Sequence, residues 1–278
     1  MRIQYASDLH LELWKKTTFD ETIEPVAPIL ALVGDIGDLD TPNLPSFLEF
    51  CSQRWTHVFW IGGNELWYYS DIETAVEKME DLCSAYKNIH VLYNDAFLLD
   101  DVLIVGTSLW HKPREPMIRY NSTIYIKQIP LPVDDMTFRM EHTKCLMFLK
   151  NIVKNSNHPI LVLSYYSPFT WLYEEDWIQE PQYAVLDSEI EVFITYPIMA
   201  WISGHCHLPI EYNRRYYLVD GYQGNVLLIS NPRGKPSKNK ETFYRKEAVL
   251  SLNPTLLEGF APKEEEPVPA WDRRSRRS

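Results

Sequence analysis

Six short apolar runs recur along this chain, and most are followed at once by glycine, serine or a polar turn. They occupy residues 3–6, 29–33, 58–61, 102–105, 160–163 and 200–202. Runs this short, rich in Val and Ile and bounded by turn formers, read as buried strands. Segments of helical period lie between them. Residues 71–86 place Ile72, Ala75, Val76, Met79, Leu82, Cys83 and Tyr86 on one stripe, opened by a capping box of Ser70 and Glu73. Residues 137–154 do the same with Phe138, His142, Cys145, Leu146, Leu149, Ile152 and Val153. Strands alternating with helices predict a layered α/β fold.

Asp100-Asp101, between apolar stretches 96–99 and 102–105, predicts a hairpin, so the sheet is expected to be mixed. Residues 210–213, 216–219 and 226–229 read as three more short strands, and the proline-rich segment 113–132 as a surface excursion. The expected architecture is one layered α/β domain of mixed strands flanked by helices over residues 1–261. Residues 262–278 carry three prolines, an acidic triplet and four arginines with little to bury, and read as a disordered charged tail.

Composition narrows the function classes. A chain of 278 residues, 45% hydrophobic and 23% charged, buries about three-quarters of its unfolded surface and needs no disulfide staples. A net charge of −11 excludes a sequence-blind nucleic-acid binder. Nucleic acid remains only as a substrate, or as a partner of Arg273, Arg274, Arg276 and Arg277. An acidic chain still accepts a phosphate ester where metal ions supply local positive charge. Cys51, Cys83, Cys145 and Cys206 form no CxxC pair, which fits a reducing, cytoplasmic setting. The N-terminus lacks a basic-then-apolar leader, and the apolar runs fall far short of the roughly 20 residues that span a bilayer, so no membrane partner is expected.

Four runs are followed by side chains that bind metals. Asp8 and His10 follow the first, Gly34-Asp35 the second, Gly63-Asn64 the third, and Gly204-His205-Cys206-His207 the last. In open α/β sheets, ligand sites gather at the carboxyl ends of strands, so these groups are expected to converge. Asp8 with His10, and His205 with His207, sit two apart, which puts each pair on one side of an extended strand end. Carboxylate, imidazole and amide oxygen together suit Mn, Fe or Zn. Two such ions about 3.5–4 Å apart clamp a phosphoryl group and supply hydroxide for in-line attack.

The ordered series D-x-H, G-D, G-N and G-H-x-H resembles the calcineurin-like metallophosphoesterases over roughly residues 1–234. The opening MRIQYASDLHLE and the late Ser230–Gly234 (SNPRG) are similar to a small-protein branch of that family. The resemblance implies a two-sheet β-sandwich of mixed strands flanked by helices, and a phosphate mono- or diester as substrate, hydrolysed by metal-activated hydroxide, with one or two divalent ions as cofactor. It implies that Asp8, His10, Asp35 and His207 hold a first ion, and that Asp35 bridges to a second ion taking Asn64 and His205.

Two departures qualify this. The family pattern G-N-H-[DE] reads here Gly63-Asn64-Glu65-Leu66, so Glu65 stands where a histidine assists catalysis. Glu65 and Asn64 are the candidate catalytic residues, with Glu65 either an ionised oxygen ligand or a solvated substitution without a role. The family's histidine pair before a proline reads here Ser164-Tyr165-Tyr166-Ser167-Pro168. Neutral phenols bind metals poorly, so Tyr165 and Tyr166 are expected to be packing residues. The expected activity is thus weakened or specialised; the alternative is a non-catalytic member of the same fold that acts as a binding or scaffold module. Cys206 reads as a small buried residue, and His57, His90, His142 and His158 as core or surface residues. His111 is the one spare histidine expected near the site.

Overall fold

The computed structural model describes residues 1–14, 18–64, 66, 71–110, 125–126, 129–130, 135–168, 190, 193–217, 223–236 and 243–253. In chain order the elements are β1 (Arg2–Ala6), α1 (Phe19–Thr22), β2 (Ile29–Val33), α2 (Asn43–Arg54), β3 (His57–Ile61), α3 (Ile72–Cys83), β4 (Ile89–Val91) and β5 (Asp95–Leu99). They continue as β6 (Val102–Thr107), β7 (Tyr125–Ile126), β8 (Ile129–Pro130), α4 (Asp135–Asn155), β9 (Ile160–Ser164), β10 (Ile198–Ser203), β11 (Ile210–Tyr217), β12 (Gln223–Ser230) and β13 (Val249–Ser251).

Two mixed sheets result. The first has the order β13-β1-β2-β3-β4, with β1 to β4 parallel and β13 antiparallel on β1. The second has the order β11-β12-β10-β9-β6-β5; its four central strands are parallel and its two edge strands antiparallel. β7 and β8 pair separately. This is the expected two-sheet α/β architecture.

Strand alternation builds the layers. Tyr5, Ala31, Val33 and Ile61 of the first sheet cluster with Ile104, Leu161, Leu163 and Ile202 of the second. The intervening residues face outward. Leu30, Leu32 and Trp60, with Val162, Trp201 and Leu228, belong to a second cluster that takes in Phe47 of α2, Met79 of α3 and Leu149 of α4. Covered on both faces, β2 and β9 are buried throughout, which is why they read as unbroken apolar runs.

The hairpin between β5 and β6 turns on Asp100 and Asp101, with φ of 47° and 62°. Left-handed backbone at both central residues is the two-residue turn whose twist matches paired strands.

Three details differ from the sequence reading. The N-cap of α3 is Asp71, whose carboxylate accepts from Thr74 N at 2.8 Å, and Ser70 of the expected capping box lies outside the described residues. The helix stops at Cys83 rather than Tyr86, because Ser84 N donates to Asp81 O three residues back and tightens the last turn. The strands expected at 210–213 and 216–219 are one strand, β11, in continuous register from Ile210↔Ser230 to Tyr217↔Gln223. Arg214 and Arg215 do not interrupt it, since β11 is an edge strand and edges accept charged side chains. Residues 218–219 and the tail at 262–278 lie outside the described residues, as does most of 113–132.

Candidate metal centre

Parallel pairing places the carboxyl ends of β1, β2 and β3 together, and likewise those of β6, β9 and β10. Backbone bonds then tie the loops beyond them. Asp8 N donates to Gly34 O, His10 N to Asp35 O, Gly34 N to Ile61 O and Gly204 N to Tyr165 O, each at 3.0 Å. Across the sandwich, Ser108 Oγ donates to Gly62 O at 2.7 Å, and His205 N donates to the Asp8 carboxylate at 3.1–3.2 Å.

The candidate ligands do not project from strand ends by simple alternation, as the sequence reading held. Extended structure stops at Ala6, Val33 and Ser203. Beyond it, Asp8, His10, Asp35, His205 and His207 take left-handed φ of 51°, 45°, 46°, 67° and 51°. Each such residue costs on the order of 1 kcal/mol or more, so this concentration marks a site the surrounding packing has to enforce. Alternating left-handed residues, not a pleat, bring each two-apart pair to one side.

The implied ligands divide into two constellations. In the first, one ligand atom each from Asp8, His10 and His207 lie within 4.8 Å of one another. Asp8 is fully buried, and His207 Nε2 sits 3.3 Å from its Oδ1. Burial pushes the Asp8 carboxyl pKa up, but the His207 hydrogen bond, the charges of His207 and His10 and the Ser7 hydroxyl outweigh it and hold it below its ordinary value. Asp8 is an anionic donor.

His10 is oriented by a residue the sequence reading passed over. Its Nδ1 lies 3.2 Å from Glu12 Oε1, and Glu12 Oε2 accepts from Asp38 N at 3.3 Å. Burial raises the Glu12 pKa, yet its bonds to His10 and to backbone N–H groups win and keep it low. An anionic Glu12 fixes the proton on Nδ1 and leaves the lone pair of His10 on Nε2. The spacing D-x-H-x-E continued the two-residue pattern and was the available signal.

In the second constellation, Asp35, Asn64 and His205 converge on the Tyr165 hydroxyl. That hydroxyl donates to Asp35 Oδ2, and lies 3.0 Å from Asn64 Oδ1, 3.0 Å from His205 Nδ1 and 3.4 Å from Asp8 Oδ1. Tyr165 is buried, as expected of a packing residue, but the packing-only reading is corrected: its polar end lies in the middle of the site. Burial first, then the charges of Asp35 and Asp8, push its pKa well above the ordinary phenol range, so it stays a neutral phenol. Tyr166 does pack, against His205 with ring centroids 4.3 Å apart and against Trp110 at 5.8 Å.

Backbone proximity is also built in. A Cβ at Gly63 would stand 1.9 Å from Asp35 Oδ1, and one at Gly204 would stand 3.1 Å from Asp8 Oδ2. A cavity of about 20 Å³ beside Asp35 and Gly63 has room for a water and not for a substrate.

Glu65 and His111 lie outside the described residues. His57 and His90 bond to each other at 3.1 Å, and His142 bonds the Trp110 carbonyl, so these three serve the fold. Cys206 is buried, its Sγ donates to Leu208 O, and burial pushes the thiol up to about 12. The carboxylate and two imidazoles of Asp8, His10 and His207 are a donor set that suits a borderline divalent ion.

No family model matches the chain. Among curated proteins it is similar to "Uncharacterized protein L509" of Acanthamoeba polyphaga mimivirus, at 26% identity over 299 residues, covering 94% of this chain and 100% of that protein. A solved structure at 14% identity covers 84% of this chain and 90% of its own, with a TM-score of 0.48. A second, also at 14% identity, is a Staphylococcus aureus protein provisionally described as a 5'-nucleotidase, solved in complex with alpha-ketoglutarate. It covers 84% of this chain and 49% of its own, with a TM-score of 0.42. With TM-scores below 0.5, these likenesses assign neither activity nor substrate.

Proposed function

We propose that this chain is a metal-dependent hydrolase of phosphate esters, of the calcineurin-like kind, whose ion is held by Asp8, His10 and His207. The observation that carries this reading is the convergence of those three side chains on buried, left-handed loops beyond two different sheets. A divalent cation in such a site polarises a phosphoryl oxygen and makes water a nucleophile at neutral pH.

The protein's own residues do the rest. Asp8 supplies the buried negative charge, Glu12 sets the tautomer of His10, and the bond from His205 N holds the Asp8 carboxylate in place. Asp35 is the candidate bridge between this cluster and the Tyr165 network. Among the described residues no helix is long and apolar enough to cross a membrane. A cytoplasmic ester is the substrate class proposed.

The Tyr165 hydroxyl also favours a second reading, a non-catalytic scaffold on the same fold, because it engages four of the six implied ligands. One assay separates the two. Metal-stripped protein is reconstituted with Mn²⁺, Fe²⁺ or Zn²⁺ and tested on p-nitrophenyl phosphate and bis(p-nitrophenyl) phosphate. Metal-dependent release of nitrophenol that His207→Ala abolishes supports the enzyme. No turnover above buffer with any of the three ions leaves the scaffold.

A further inference from the structure

We propose that the Tyr165 hydroxyl occupies the place of a second cation, so that this chain binds a single ion at Asp8, His10 and His207. The inference rests on the metal-centre reading above and deepens it.

The contacts of that hydroxyl are not those of an ordinary buried phenol. It meets a carboxylate oxygen of Asp35, an amide oxygen of Asn64 at 3.0 Å, an imidazole nitrogen of His205 at 3.0 Å and, farther off, Asp8 Oδ1 at 3.4 Å. A phenol has one proton to give and two lone pairs to offer. Three oxygen acceptors and a ring nitrogen around one atom form the environment a cation satisfies. Here a hydrogen-bond network satisfies it instead. The phenol donates to Asp35 and accepts from His205 Nδ1–H, while the Asn64 and Asp8 oxygens stand around it as further acceptors.

The phenol is also seated, not merely near. Its ring lies where any side chain on the residue before Asp35 would be: a Cβ at Gly34 would stand 1.9 Å from Tyr165 Cδ2, and Gly34 has a φ of +78°. The Tyr165 carbonyl is tied to Gly204 N and its own N to Thr107 O. On its other side the ring packs edge-on against His205, centroids 4.9 Å apart. Glycine, backbone and His205 thus hold the hydroxyl between Asp35, Asn64 and His205, and a cation there would have to expel a side chain that is 1% exposed.

The test is the number of ions bound per chain, read by equilibrium dialysis against Mn²⁺ with mass-spectrometric metal counting, for wild type and Tyr165→His. Circular dichroism checks folding, and Tyr165→Gln, which also removes the phenol and offers a donor, repeats the test if the histidine variant does not fold. One ion in wild type and two in the variant is the expected result. Two ions of similar affinity in wild type overturn the role of Tyr165 and leave the metal centre standing. A variant that folds and still binds one ion also overturns it. No ion in wild type removes the metal centre and this inference together.

Discussion

Glu12 Oε1 and His10 Nδ1 stand 3.2 Å apart, and this pairing decides which nitrogen of His10 faces the site. The backbone N–H of Asp38 holds the other oxygen of the same carboxylate, so the orientation of His10 is set from two directions. Glu12→Gln keeps the shape and removes the charge. Metal affinity should fall about tenfold or more, the usual cost of losing a carboxylate behind a ligating histidine. Isothermal titration with Mn²⁺ measures it, and an unchanged affinity would show that Glu12 does not orient a ligand.

Gly63 faces Asp35 so closely that its missing Cβ matters. Gly63→Ala would put a carbon 1.9 Å from Asp35 Oδ1 and 2.7 Å from Asp35 N, so the left-handed turn at Asp35 must move. Overpacking of this kind costs about 1–3 kcal/mol. Thermal unfolding of the metal-free protein should show that loss, whereas Gly37→Ala, with 3.3 Å to its nearest neighbour, should lose less.

The strands were legible in the sequence because parallel strands covered on both faces become unbroken apolar runs, as at residues 29–33. The candidate ligands could be picked out too, since Asp-x-His and Gly-His-x-His follow such runs, and the structure brings Asp8, His10 and His207 of these motifs together. Three things were not legible. The backbone that presents the ligands is left-handed, and no local pattern announces φ near +50° at Asp8 or His207. Glu12 acts through His10, and a carboxylate there reads equally well as a solvated charge. Tyr165 was legible as buried, but burial says nothing of where its hydroxyl ends. That depends on Gly34 vacating the space for its ring, a pairing of residues 131 positions apart. β4 and β13, three residues each, are too short to show a period and exist by pairing with β3 and β1.

Far from the site, His57 and His90 share one hydrogen bond, and burial, then the neighbouring His57, hold the His90 pKa below its ordinary value. The unfolded chain therefore takes up a proton near pH 6.5 that the folded chain refuses. The His90 contribution to stability is complete above about pH 6.5 and declines as pH falls below it. Urea unfolding between about pH 5 and 7.5 should show wild type losing more stability on acidification than His90→Gln. Parallel curves would place the pH response elsewhere.

With one dication, the ion does no more than balance Asp8 and Asp35, and the anionic Glu12 behind His10 adds further negative charge, whereas a second ion would leave the site positive. A dianionic monoester gains less from the single-ion site than from a positive one, and a monoanionic diester suffers least from the difference. The ratio of kcat/KM for bis(p-nitrophenyl) phosphate over p-nitrophenyl phosphate should exceed one. Tyr165→His, on gaining a second ion, should lower that ratio. A wild-type preference for the monoester would speak against a single-ion site.

The position of the ion is the most direct measurement. A crystal of the Mn²⁺- or Zn²⁺-loaded protein, measured at the metal edge, reveals each ion by its anomalous signal. The expected map has one strong peak, about 2.0–2.2 Å from an Asp8 oxygen, His10 Nε2 and a His207 nitrogen, with none at the Tyr165 hydroxyl. A peak of equal strength between Asp35, Asn64 and His205, or no peak at Asp8, His10 and His207, would contradict it.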